Sequence, residues 1–141
     1  MGLSSIFEIT GTALNAQSIH IDTIAKNMAN AQVLAGSEQD AYRARRPIFS
    51  SILESSISFS FNKPNQGGVQ VDGMAFSDTP IEKRMMRENP FADAEGYVYL
   101  SNVNLVEEMA FMMEASRNYQ SNIEVMNTSK QLMQRTISLG A

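Results

Sequence analysis

Residues 5–31 read SIFEITGTALNAQSIHIDTIAKNMANA. Phe7, Leu14, Ile21 and Met28 recur every seven positions, with Thr10, Gln17, Ile24 and Ala31 at the intermediate heptad sites. That spacing stacks side chains on one side of an α-helix, so the stretch predicts an amphipathic helix. Ser5-Ile6-Phe7-Glu8 has the form of a capping box, which predicts the helix start at Ser5. A second stripe, Ile6, Ile9, Ala13 and Ala16, widens the apolar surface beyond what one neighbouring helix covers. Asn27 and Asn30 interrupt this surface. Three apart, they share one side of the helix beside Met28 and Ala31, where a carboxamide can both donate and accept. They either stop the helix, since Asn tolerates left-handed backbone, or select one helix register.

The far end of the chain repeats the design. Leu105, Met112, Tyr119, Met126 and Met133 recur every seven positions, with Met109, Ser116, Ile123, Lys130 and Ile137 between them. Asn104 precedes this run as a cap, with Glu107 at the third helical position, and Gly140 follows it as a stop. More than thirty residues of helix reach about 50 Å, too long for a compact domain of this size. Between the two runs the pattern changes. Residues 55–100 hold three of the four prolines and short alternating stretches such as Val69-Gln70-Val71 and Tyr97-Val98-Tyr99, which predict strands near 68–77, 81–88 and 97–100. Asp72-Gly73 is also a tight-hairpin signal, which would shift those boundaries. Residues 33–46, VLAGSEQDAYRARR, are polar and aperiodic and predict a long loop. The expected fold is mainly α. Long N- and C-terminal amphipathic helices (1–32 and 101–141) pair as a coiled coil around a central loop and small β-rich module (33–100).

Composition removes several function classes. Fifteen acidic against eleven basic residues give a net charge of -4, without the basic footprint that nucleic acid requires. There is no cysteine, hence no thiolate nucleophile or Cys-based zinc site, and the lone His20 has no recognisable partner. His20 therefore reads as a packing residue. ADAEGY, residues 92–97, has part of a calcium-loop spacing, but Phe91 and Asn102 stand at its first and last ligand positions, so a turn into the Tyr97 strand is expected. Asn127-Thr128-Ser129 matches a glycosylation string inside a predicted helix and is discounted. No phosphate loop, dinucleotide fingerprint or nucleophile elbow occurs, so neither catalysis nor a cofactor nor a small-molecule substrate is expected. Residues 1–30 do not read as a secretory signal, and no apolar run is long enough for a membrane span. YRARRPIF, residues 42–49, gathers Tyr42, Arg43, Arg45 and Arg46; contact with an acidic protein surface and a solvated loop weigh evenly. Glu38 and Asp40 argue against nucleic acid there. The ten methionines suit adaptable helix packing.

The positive signal is for assembly, because each terminal helix offers more apolar surface than the other can hide. AQSIHIDTIAKNMANAQ near the start resembles the asparagine-containing signature of the axial rod and hook proteins of the bacterial flagellum. AYRARRPIF, NPFADAEGYVYLSNVNLVEEM and SRNYQSNIEVMNTSKQLMQRTISLG extend that resemblance, in order, over both termini and much of the centre. The resemblance implies a structural subunit of the proximal rod, which joins other copies and other rod proteins in a shaft that transmits motor torque. It also implies export through the flagellar type III apparatus without a cleaved signal. Under it, Phe7, Leu14, Ile21, Ile24, Asn27, Met28 and Asn30 of the first helix are expected at subunit interfaces. So are Leu105, Met109, Met112, Tyr119, Ile123, Met126, Met133 and Ile137 of the second. The rival is a soluble helical adaptor whose terminal helices close on each other within one monomer.

Overall fold

The computed structural model describes residues 3–53 and 67–139. Helix α1 spans Leu3–Asn30. It starts ahead of Ser5, which lies in its first turn rather than at its cap: Leu3 is a good helix former, and the backbone ladder runs past the local capping signal. At the other end Asn30 turns its carboxamide back, Nδ2 donating to the Lys26 carbonyl at 2.7 Å, and the chain tightens through Ala31 N to Met28 O and Val33 N to Asn30 O, both 3.3 Å. Asn30 thus closes the helix without left-handed backbone, since among the described residues only Gly96 has a positive φ.

Two small antiparallel sheets follow. β1 (Leu34–Ala35), β4 (Lys83–Met85) and β5 (Tyr97–Leu100) form one, in the order β1-β5-β4. β2 (Arg45–Leu53) and β3 (Gly67–Phe76) form a two-stranded ribbon. The expected strands near 68–77 and 97–100 match β3 and β5, whereas that near 81–88 shortens to three exposed residues. β2 corrects the sequence reading. Its opening Arg45-Arg46-Pro47 looks like loop, yet in a two-stranded ribbon each strand keeps an open edge, where proline needs no ladder partner. β1 likewise lies inside the expected loop 33–46. Asp72-Gly73 is not a hairpin turn. Ile48 faces Gly73 and Phe49 faces Val71, so Asp72 is the extra residue of a β-bulge within β3. The ribbon lies against α1: Thr12 Oγ1 accepts from Val69 N at 3.3 Å, and a Cβ on Gly68 would stand 3.1 Å from that oxygen.

Helix α2 spans Leu105–Leu139 and starts as expected, with Asn104 Oδ1 accepting from Val106 N (3.1 Å) and Glu107 N (3.4 Å). The expected stop at Gly140 lies outside the described residues. α1 and α2 pack antiparallel, for Gln17 Nε2 donates to Ala115 O at 3.2 Å while Asn27 bonds Glu108 nearer the start of α2. The less exposed row of α2 is Leu105, Glu108, Met112, Ala115, Tyr119, Asn122, Met126, Ser129 and Met133. The heptad of Leu105 through Met133 is the expected one. The intermediate row falls one position earlier than expected: Glu108, Ala115 and Ser129 are buried, and Met109 and Ile123 are exposed. In α1 the intermediate row is buried where expected at Thr10 and Ile24, while Ala16, Thr23 and Asn27 are buried one position ahead of Gln17, Ile24 and Met28, and Phe7, Leu14, Ile21 and Met28 flank them half-buried. Small residues let the helices approach, and their hydroxyls are satisfied within their own helix, Thr10 by Ile6 O (2.7 Å), Thr23 by Ile19 O (2.8 Å) and Ser129 by Val125 O (2.8 Å).

Candidate functional site

The end of α1, the 41–44 loop, the root of β2 and the first turn of α2 meet at Asn27, which is 1% exposed. Its Nδ2 donates to Arg45 O at 2.8 Å and to Glu108 Oε2 at 3.3 Å. Its Oδ1 accepts from Arg45 N and from the Tyr42 hydroxyl, each at 3.0 Å. The carboxamide therefore takes both backbone groups of Arg45, as a neighbouring strand would, and fixes the ribbon to the helix pair. Glu108 is equally enclosed, and its charge is balanced by Arg46, whose Nη2 lies 3.5 Å from Oε1. The Arg46 guanidinium covers the Phe111 ring at 4.4 Å, and that of Arg45 lies 5.6 Å from the Tyr42 and Phe76 rings. Arg43 turns outward to Glu38 at 3.6 Å. The YRARR segment is thus a clasp between elements of one chain.

His20, one turn before Thr23 on α1, packs edge-on against Phe49 of β2, centroids 5.7 Å apart. Burial pushes its imidazole below the usual 6.5 and Arg46 adds to this, while Glu108 and Glu114 oppose it. Burial likewise pushes the Tyr42 hydroxyl up, against the nearby Arg45 charge. The 92–97 stretch is the expected turn: Asp93 Oδ1 accepts from Tyr97 N (2.8 Å) and Glu95 N (2.9 Å), and Gly96 takes φ 86°. The bond from Tyr97 N leads those that hold the Asp93 carboxyl below its ordinary range. Among the described residues no group of three or more His, Asp or Glu could hold a metal, and no helix is long and apolar enough to cross a membrane.

The residues expected at subunit interfaces divide into three sets. Ile24 and Asn27 are buried within the chain, and every polar atom of Asn27 that was expected to reach a neighbouring subunit has a partner in its own. Phe7, Leu14, Ile21, Met28, Asn30, Leu105, Met112, Tyr119, Met126 and Met133 are half-buried. Met109, Ile123 and Ile137 are exposed, and they share the outside of α2 with residues not singled out from the sequence, Val106 (75% exposed), Met113 (64%) and Leu139 (88%). Glu108 also escaped the sequence reading. Its place three after Leu105 and four before Met112 was the available signal.

The family model described as "Flagellar basal body rod FlgEFG protein C-terminal" matches residues 94–139, from the Asp93 turn through β5 and α2. The chain is 42% identical over 142 residues to the flagellar basal-body rod protein FlgC of Salmonella typhimurium, and 40% over 142 residues to that of Yersinia enterocolitica. Both alignments cover 99% of each chain. This chain belongs to the FlgC family. A more distant FlgC, from Buchnera aphidicola of Baizongia pistaciae, is 33% identical over 144 residues, again across 99% of both chains. The FlgC match therefore spans the polar clasp, both sheets and both helices.

Proposed function

We propose that this FlgC-family chain is a structural subunit of the flagellar proximal rod, part of the shaft that transmits motor torque. α1 and α2 form an antiparallel coiled coil in this reading, and the outer surface of α2 meets other copies and other rod proteins. Export through the flagellar type III apparatus without a cleaved signal belongs to the same proposal. The observation that carries it is the full-length FlgC similarity, and the uncovered Val106 and Met113 on α2 supply the surface. Val106→Asp with Met113→Asp tests it. Both sites are solvent-facing, so stability should change by less than about 0.5 kcal/mol per site. Incorporation into basal bodies, and with it swimming, should be lost; normal swimming would overturn the proposal. The adaptor reading gains support from the closure of α1 on α2 within one chain. Fractionation separates the two: recovery of the wild-type chain in purified basal bodies favours the rod subunit, and its absence from them the adaptor.

A further inference from the structure

β1, β4 and β5 stand apart from the rest of the fold. Among the described residues, no Cα of these strands comes within 8 Å of one in α1, α2, β2 or β3, whereas the ribbon lies on α1 and α1 on α2. The small sheet has buried residues of its own, Val98 (0% exposed) and Ala35 (8%). It also has its own ties, Met86 N donating to Gly96 O at 2.9 Å and Leu100 N to Glu82 O at 2.8 Å. Four connections join it to the helices and the ribbon: residues 31–33, 36–44, 77–82 and 101–104. Asn102, half-buried in the last of them, reaches two others. Its Oδ1 accepts from Ala44 N at 2.7 Å, and its Nδ2 donates to Thr79 O at 2.8 Å and to Ser77 O at 3.3 Å. Its backbone N donates to Tyr42 O at 3.4 Å, and Ser77 N donates to Ala44 O at 2.8 Å beside it. One residue thus gathers three of the four connections.

From this arrangement we infer that the small sheet is a hinged head, that the connections are its hinge, and that the Asn102 carboxamide is the latch that holds them at one angle. Units within a chain move against each other unless a large apolar interface fixes them, and here the polar bonds of one side chain take that place. Two asparagines have separate tasks. Asn27 holds Arg45 and so binds the ribbon to the helices, whereas Asn102 holds the adjacent Ala44 together with Ser77 and Thr79 and so binds the head. Thr79 is exposed and Asn102 half-buried, so water can replace their bond when the latch opens. The helix pair and the ribbon keep their own bonds throughout. A head that changes its angle in this way meets unlike neighbours without repacking the helices. The hinge is a property of the single chain and does not rest on the rod-subunit reading.

Because the chain has no cysteine, nitroxide labels can be placed in pairs on the full-length protein and their separation measured by pulsed spin resonance. Ala94→Cys with Asn118→Cys spans the hinge, from the head to α2, and Asn15→Cys with Asn118→Cys is a control within the helix pair; all three positions are exposed. With Asn102 in place, each pair should give one narrow distance. Asn102→Ala should lose the narrow distance between positions 94 and 118 to a broad spread, and leave the control narrow. Asn102→Asp should behave like Asn102→Ala, because a carboxylate accepts from Ala44 N but cannot donate to the Ser77 and Thr79 carbonyls. A broad distance across the hinge with Asn102 intact would overturn the latch. So would a narrow one in either Asn102 variant. Equal broadening of the control would overturn it as well, since Asn102 would then hold up the helices and not the head alone.

Discussion

Asn27 bonds the backbone of Arg45 twice and also meets Tyr42 and Glu108, so its loss strands groups in α1, the loop, β2 and α2 together. Asn27→Leu should therefore destabilise the fold by about 3 kcal/mol in urea unfolding, since each buried group left unpaired costs about 1–3 kcal/mol. A cost under about 0.5 kcal/mol would show that water replaces the carboxamide. The sequence marked Asn27 as anomalous on an apolar surface but did not reveal its partners, because Arg45 and Glu108 lie 18 and 81 positions away. His20 adds a pH dependence. Its folded pKa lies below the unfolded value near 6.5, so the unfolded chain takes up the proton first as pH falls. The stability tied to neutral His20 is complete above about pH 6.5 and declines as pH drops towards the folded value. Unfolding at about pH 7.5 and 5.5 should show this loss, and His20→Gln should reduce it. An unchanged dependence in the variant would assign it to the carboxylates. The Asp93 carboxyl acts lower on the scale: its pKa is depressed, so its contribution holds above the unfolded value and is lost as pH falls through the folded one.

Elements were legible from the sequence where one local rule governed them. Asn104 caps α2 as read, and Asn104→Ala should cost about 1 kcal/mol and fray the first turn, visible as faster amide exchange at Val106 and Glu107. The Asp93–Gly96 turn was equally plain. Gly96→Ala should be costlier than an ordinary surface substitution, because φ is 86° and a Cβ would stand 2.6 Å from Arg87 Cγ. Elements whose form depends on distant partners were less legible. β2 begins with two arginines and a proline, and it exists because β3 pairs along its whole length. The inner row of α2 runs through Glu108, Ala115 and Ser129, chosen for small size or for partners on other elements, whereas hydrophobicity alone pointed to Met109 and Ile123 beside them. Periodicity reported both helices; it did not fix which way α2 turns.

Among the described residues of the molecule, the buried apolar ones, Ala16, Ile24, Ala35, Ala41, Ala44, Val98 and Ala115, are mostly small, while Val106, Met113 and Leu139 remain at the surface. Such a chain gains little from its own interior and keeps its larger apolar groups for others. That asymmetry joins the fold to the proposed rod subunit: the clasp at Asn27 sets the ribbon and helices in one arrangement, and the outside of α2 is what that arrangement presents. The most direct test is an image reconstruction of the intact basal body in which side chains of this chain are resolved. The account expects Val106 and Met113, 75% and 64% exposed in the single chain, to be covered by neighbouring subunits in the rod. Finding both open to solvent in an assembled rod would contradict it.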